Sequence, residues 1–106
     1  MRRVSIDDLR SAMAEGAPVI DVREPEEFAS GHVPGARLVP LATVPEAMPE
    51  LTKLAELGGG KPVYVICQVG ARSQQAAAYL SQHGVDACSV DGGTGDWMAA
   101  GLPVER

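Results

Sequence analysis

Apolar residues recur at two spacings along the chain, and the alternation between them predicts its elements. Leu9, Ala12 and Met13 share one helical face, so a first helix is predicted from about Ile6 to Glu15, with Ser5 as N-cap and Gly16 as its stop. Pro18-Val19-Ile20-Asp21-Val22 then reads as a short buried strand. Glu24-Pro25-Glu26-Glu27-Phe28 opens a second helix, with proline in the first turn and carboxylates near its positive end. Gly31 to Ala36 is a turn, and Arg37-Leu38-Val39 a further strand. The prolines of Thr43 to Pro49 predict an irregular turn, followed by a helix from Pro49 to about Leu57 with Leu51, Leu54 and Ala55 inward. Gly58-Gly59-Gly60 ends it. The last third repeats the scheme: a strand over Val63–Ile66, a helix over Ser73–His83 closed by Gly84, and a strand from about Ala87 to Val90. Gly92 to Trp97 turns into a short final helix that Gly101-Leu102-Pro103 terminates.

Strands alternating with helices in this way predict an α/β fold, a parallel sheet covered on both faces. A chain of 106 residues is expected to make one domain, 1–106, around one core. Its 45% apolar and 22% charged residues are ordinary for a globular protein. The net charge of -5, with no basic stripe, argues against a nucleic-acid partner. Two arginines near the N-terminus are not followed by an apolar stretch, so neither a secretory leader nor a membrane span is expected. Two cysteines are too few for a disulfide framework, and no His/Cys cluster has zinc-ligand spacing. A reducing cytoplasm is therefore the expected compartment, and no metal or other cofactor is expected.

In open α/β sheets, ligands bind at the carboxyl ends of the strands. Two strands end alike, Val19-Ile20-Asp21 and Val65-Ile66-Cys67, which places an acid and a thiol on one rim with Arg23 and Arg72 close behind. Cys67 precedes a turn containing Gly70, and Gly70 supplies the backbone freedom that lets several N–H groups converge on the sulfur. Arg72 is permanently charged and Ser73 carries a hydroxyl, so each can stabilise a thiolate or a bound oxyanion. A helix N-terminus and a cation both lower a thiol pKa, and a depressed value is expected for Cys67. A lone cysteine at a strand end is more often a small buried hydrophobe, and Cys88, between Ala87 and Ser89, is read that way. The glycine turn, the arginine and the following helix set Cys67 apart.

Cys67-Gln68-Val69-Gly70-Ala71-Arg72-Ser73 resembles the active-site loop of rhodanese-like sulfurtransferases. Asp21 to Phe28 followed by Gly31-His32-Val33-Pro34-Gly35-Ala36 is similar to the N-terminal signature of the same family. Val90-Asp91-Gly92-Gly93 with Trp97, Gly101 and Pro103 is similar to its C-terminal one. The resemblance implies an open, mostly parallel five-stranded sheet with helices on both faces. It also implies a ping-pong reaction in which Cys67 takes a sulfane sulfur from thiosulfate or another persulfide, becomes a persulfide, and yields that sulfur to a thiol or to cyanide. Gln68, Val69, Gly70, Ala71, Arg72 and Ser73 would form the substrate bowl, with Asp21, Arg23 and His32 in support. The implied partners are a small sulfur-containing anion or thiol, or a protein persulfide.

Rival classes leave specific marks. Cysteine phosphatases separate Cys and Arg by five residues, whereas only Gln68, Val69, Gly70 and Ala71 lie between Cys67 and Arg72. A shorter loop makes a smaller bowl, better sized for one sulfur atom than for a phosphate or arsenate. A persulfide carrier or docking module remains as an alternative, since only turnover with free small molecules separates it from an enzyme. Gln68, Val69 and Ala71 are neutral, which predicts weak activity with thiosulfate and a different physiological donor. Asp21 has two readings, accepting hydrogen bonds from the loop or from Arg72, or capping the next helix. Arg23 either pairs with Glu27 at the surface or, as the resemblance suggests, plays a structural part near the rim. His32 is read as a turn residue bonding backbone rather than a general base, and Trp97 as packing in the core or under the rim with its indole N–H bonded.

Overall fold

The computed structural model describes residues 1–106. Its strands are β1 (Arg2–Val4), β2 (Val19–Asp21), β3 (Arg37–Leu38), β4 (Val63–Ile66) and β5 (Ala87–Val90). The α-helices are α1 (Ile6–Ala14), α2 (Pro25–Ser30), α3 (Val44–Leu57), α4 (Ala71–Gln82) and α5 (Gly93–Ala99), with a 3-10 turn over Leu41–Thr43 before α3. All five strands are parallel, in the order β1-β5-β4-β2-β3. The chain leaves β2 towards one edge through β3 and returns on the other side of β2 through β4. The carboxyl ends of these two strands thus meet at the point where the strand order reverses, the usual place for a ligand in such sheets.

Side-chain alternation along the strands assigns each residue a face. Val63, Val65 and Cys67 share a core with Ile20, Leu51, Ala76, Ala77, Leu80 and Ala87, under α3 and α4. Ile66 and Val90 pack the opposite core with Leu9, Val19, Val33 and Trp97, under α1 and α5. Every residue of β5 is buried, with Ala87 and Ser89 on the α4 face and Cys88 and Val90 on the other. This parity sends the Cys67 thiol towards the first turn of α4.

The helices begin for local reasons. Ser5 Oγ accepts from Asp8 N–H at 3.1 Å, and Asp8 Oδ2 accepts from Ser5 N–H at 3.0 Å, a reciprocal cap that starts α1. Pro25 sits in the first turn of α2, where its missing N–H costs nothing. Trp97 is 4% exposed, and its indole N–H donates to the Pro103 carbonyl at 2.8 Å, as expected for a core tryptophan.

Three elements differ from the sequence expectation. Residues 44–48 are helical rather than irregular, and α3 runs through Pro49. Val44, Ala47, Met48, Leu51, Leu54 and Ala55 recur at helical spacing and pack the core under α3, which outweighs the bond that Pro49 cannot make. α4 starts at Ala71, two residues early, which draws Arg72 and Ser73 into its first turn. β1, over Arg2-Arg3-Val4, lies outside the expected elements; it exists by pairing with β5 in the register Arg2 with Cys88 and Val4 with Val90.

Candidate active site

β4 delivers Cys67 to the rim, where 1% of the residue remains exposed. Gly70 then takes φ 124, a left-handed backbone that favours glycine, and starts α4 without any side-chain cap. The sulfur occupies the capping place instead: Gly70 N–H donates to Cys67 Sγ at 3.0 Å. Ser73 Oγ lies 3.4 Å from the same sulfur. Burial pushes the Cys67 thiol pKa up, but the Ser73 hydroxyl and the N–H groups of Ser73, Gly70 and Val69 outweigh it and hold the pKa below the ordinary thiol value. For Cys88, burial comes first and raises the pKa, although Arg2 Nη2 approaches its sulfur at 3.4 Å. The two cysteines are thus opposite in character, as expected from their neighbours.

The loop is clamped from the far side by α5. Thr94 N–H donates to the Cys67 carbonyl at 2.8 Å, Thr94 Oγ1 donates to it at 3.0 Å, and Gly95 N–H donates to the Gln68 carbonyl at 3.0 Å. Gly93 makes this approach possible: with φ 55, a Cβ there would lie 2.5 Å from the Cys67 carbonyl oxygen. These α5 residues lie outside the site expected from the sequence. Their signal was three glycines in Gly92-Gly93-Thr94-Gly95, a pattern that marks close backbone approach.

The charged residues pair differently from the expectation. Arg72 does not contact the sulfur; its Nη1 and Nη2 donate to Glu27 Oε1 and Oε2 at 2.7 and 2.9 Å, a two-point pair between α4 and α2. Arg72 holds the Glu27 carboxyl down at about 2, and its own pKa is raised in return. Glu27 therefore does not pair with Arg23, which overturns the surface-pair reading of that residue. Arg23 is 2% exposed and donates to Asp21 Oδ2 at 2.9 Å, to the Gly31 carbonyl at 2.9 Å and to Gln68 Oε1 at 3.1 Å. Asp21 likewise bonds Arg23 rather than Arg72, because the Arg23 backbone N–H and guanidinium both reach it first. An ion pair buried at the end of β2 thus holds the side chain that follows Cys67. Arg23 sits buried near the rim, bonded to Asp21, Gly31 and Gln68.

His32 stays out of the bowl. Its Nδ1 donates to the Phe28 carbonyl at 2.8 Å, its ring stacks on Phe28, and its backbone exchanges hydrogen bonds with Glu105. This is the turn-residue role expected for it. Val69 is 70% exposed at the crest of the loop. The two largest surface hollows, about 520 and 470 Å³, run along β1 and α1 and include no residue from Cys67 to Ser73. What surrounds the thiol is the Gly70 N–H at 3.0 Å and the Ser73 hydroxyl at 3.4 Å.

A buried thiol of lowered pKa thus lies under a helix N-terminus at the reversal point of a small parallel α/β sheet. The family model described as Rhodanese-like domain matches residues 5–100. A thiosulfate sulfurtransferase GlpE of Pseudomonas aeruginosa is 36% identical over 99 residues, which cover 92% of this chain and 84% of that protein. One of Pseudomonas putida is 43% identical over 86 residues, covering 80% and 73%. The crystal structure of a rhodanese-like domain protein from Staphylococcus aureus superposes with a TM-score of 0.82 at 31% identity, covering 100% of both chains. The chain belongs to the rhodanese-like family, and its activity class is sulfurtransferase. No helix is long and apolar enough to cross a membrane.

Proposed function

We propose that the protein, acting as one domain over residues 1–106, moves sulfane sulfur through a persulfide on Cys67. The Cys67 thiolate attacks the outer sulfur of a donor; a new S–S bond forms as the donor's own breaks. Thiosulfate would leave as sulfite, and a donor persulfide would leave as its thiolate, so that one negative charge remains on the new outer sulfur. An acceptor thiolate, or cyanide in an assay, then attacks that sulfur and returns Cys67 as thiolate. The observation that carries this reading is the Gly70 N–H donating to Cys67 Sγ at 3.0 Å at the start of α4. Fixed dipoles there favour the anion both before and after transfer, and no metal or organic group is needed for the step. Val69, Gly70 and Ser73 face the reacting sulfur, Gln68, Ala71 and Arg72 complete the substrate loop, Arg23, fixed by Asp21, holds Gln68, and a reducing cytoplasm would keep Cys67 as a thiol.

The donor we favour is a persulfide, small or protein-borne, rather than thiosulfate. Relatives are named for thiosulfate, but here the two arginines of the rim are already engaged, Arg72 by Glu27 and Arg23 by Asp21. A dianion therefore meets backbone dipoles but no unpaired cation.

Intact mass after incubation with thiosulfate and then cyanide tests the first proposal. One sulfur atom is expected to appear on the wild type, to vanish with cyanide, and to be absent in Cys67→Ser. An unmodified Cys67 together with hydrolysis of aryl phosphates would overturn it. For the donor, kcat/KM is expected to be higher with a small persulfide than with thiosulfate. A thiosulfate value above ~10⁴ M⁻¹s⁻¹, within the ordinary enzyme range, would overturn that preference.

A further inference from the structure

β5 brings one further hydroxyl to the site. Ser89 is fully buried on the α4 face of its strand, and its Oγ lies 2.8 Å from the equally buried Oγ of Ser73. Ser73 is the only hydrogen-bond partner of that hydroxyl.

Ser73 Oγ has three polar neighbours: the Gly70 carbonyl at 3.0 Å, Ser89 Oγ at 2.8 Å and Cys67 Sγ at 3.4 Å. A hydroxyl has one proton to give and two lone pairs with which to accept. With a neutral thiol, the S–H points at Ser73, and Ser73 gives its proton to the Gly70 carbonyl or to Ser89. With a negative sulfur, the Ser73 proton has to turn to Cys67. The lone pairs of Ser73 then need a donor, and only Ser89 is placed to be one. A chain of two hydroxyls ending on an anion strengthens each of its bonds.

We propose that Ser89 is a positioning residue for the sulfur chemistry: its hydroxyl donates to Ser73 and so turns the Ser73 proton onto the charged sulfur of Cys67. The role rests on Cys67 being the reacting sulfur. The direction of donation along Ser89, Ser73 and Cys67 follows the charge on the sulfur, so the two serines act as one unit. The charged groups around the loop are the Arg72–Glu27 pair of α4 and α2, the Arg23–Asp21 pair beyond β2, and Asp96 of α5, which is folded against Gly92. β5 contributes no charge on this face. Cys88, its one titratable side chain, lies on the other.

The test is the rate of alkylation of Cys67 against pH, followed by the mass of its own peptide so that Cys88 does not contribute. Alkylation reports the thiolate whether or not sulfur transfer occurs, so this outcome is separate from the fate of the proposed reaction. In Ser89→Ala the midpoint is expected to move up, with a thiolate fraction about three- to tenfold lower below the midpoint, the effect of losing one neutral hydrogen bond. In a Ser73→Ala background the same change is expected to add no further shift, because the proton that Ser89 directs is gone. If Ser89→Ala melts early, Ser89→Cys keeps the shape, weakens the donor, and is expected to show the same shift. A wild-type midpoint in the folded Ser89 variant, or equal shifts with and without Ser73, would overturn the assignment.

Discussion

Arg72 shows how one partner changes what a charge can do. A free guanidinium beside the loop would draw in an anionic donor; paired at two points with Glu27 it chiefly ties α4 to α2. Glu27→Gln removes the counter-charge and is expected to lower KM for thiosulfate about two- to fivefold, the range of an exposed charge–charge effect. The gain should shrink as salt is raised. The pair also has a pH signature. Glu27 titrates at about 2 when folded, below its ordinary 4.5, so its contribution is present above the unfolded value and lost as pH falls towards 2. Denaturant midpoints measured from pH 7 down to pH 2 are therefore expected to fall more steeply for the wild type than for Glu27→Gln.

At the scale of elements, α5 acts as a clamp and α3 as a helix that tolerates a breaker. Gly93→Ala would drive a methyl into the Cys67 and Gln68 carbonyls. A loss of more than about 2 kcal/mol is expected, with melting lowered by roughly 10 °C and sulfur loading impaired. Pro49→Ala should do the opposite in α3: restoring an N–H and removing the ring from the helix interior is expected to add about 1–2 kcal/mol, checked by thermal unfolding. Both helices show what the sequence could and could not convey. The Val63–Ile66 strand and the glycine turn after Cys67 declare themselves by local pattern. Residues 44–48 do not, because proline's local penalty was outweighed by a buried face whose partners lie on other elements. β1 was invisible for the same kind of reason: Arg2-Arg3-Val4 has no strand period of its own and depends on β5, more than eighty residues away.

For the molecule as a whole, the site is an agreement between distant segments. The approach of the Val69, Gly70 and Ser73 donors to Cys67 was legible because they are neighbours in sequence. The partner of Arg72 on α2, the burial of Arg23 against Asp21, and the approach of Ser89 from β5 each depend on how the sheet is wound. Charge works at this scale too. With a net charge of -5 and no unpaired cation at the rim, the field of the protein opposes a dianionic donor. Raising ionic strength is therefore expected to increase kcat/KM for thiosulfate and to leave that for an uncharged donor unchanged, which stopped-flow or steady-state assays at several salt concentrations would show.

The distribution of the basic residues has one more consequence, for the fate of the protein in a crowd of its own copies. β1 and β3 form the two rims of the sheet, only three and two residues long, and their exposed residues are Arg2, Arg3 and Arg37. A sheet rim is a template on which another copy can add a strand, and short length and positive charge are two ways to spoil it. Three of the nine basic residues of an otherwise acidic chain thus stand where rim-to-rim stacking would bring guanidinium against guanidinium. Short, charged rims thus work against strand addition to the sheet that carries Cys67.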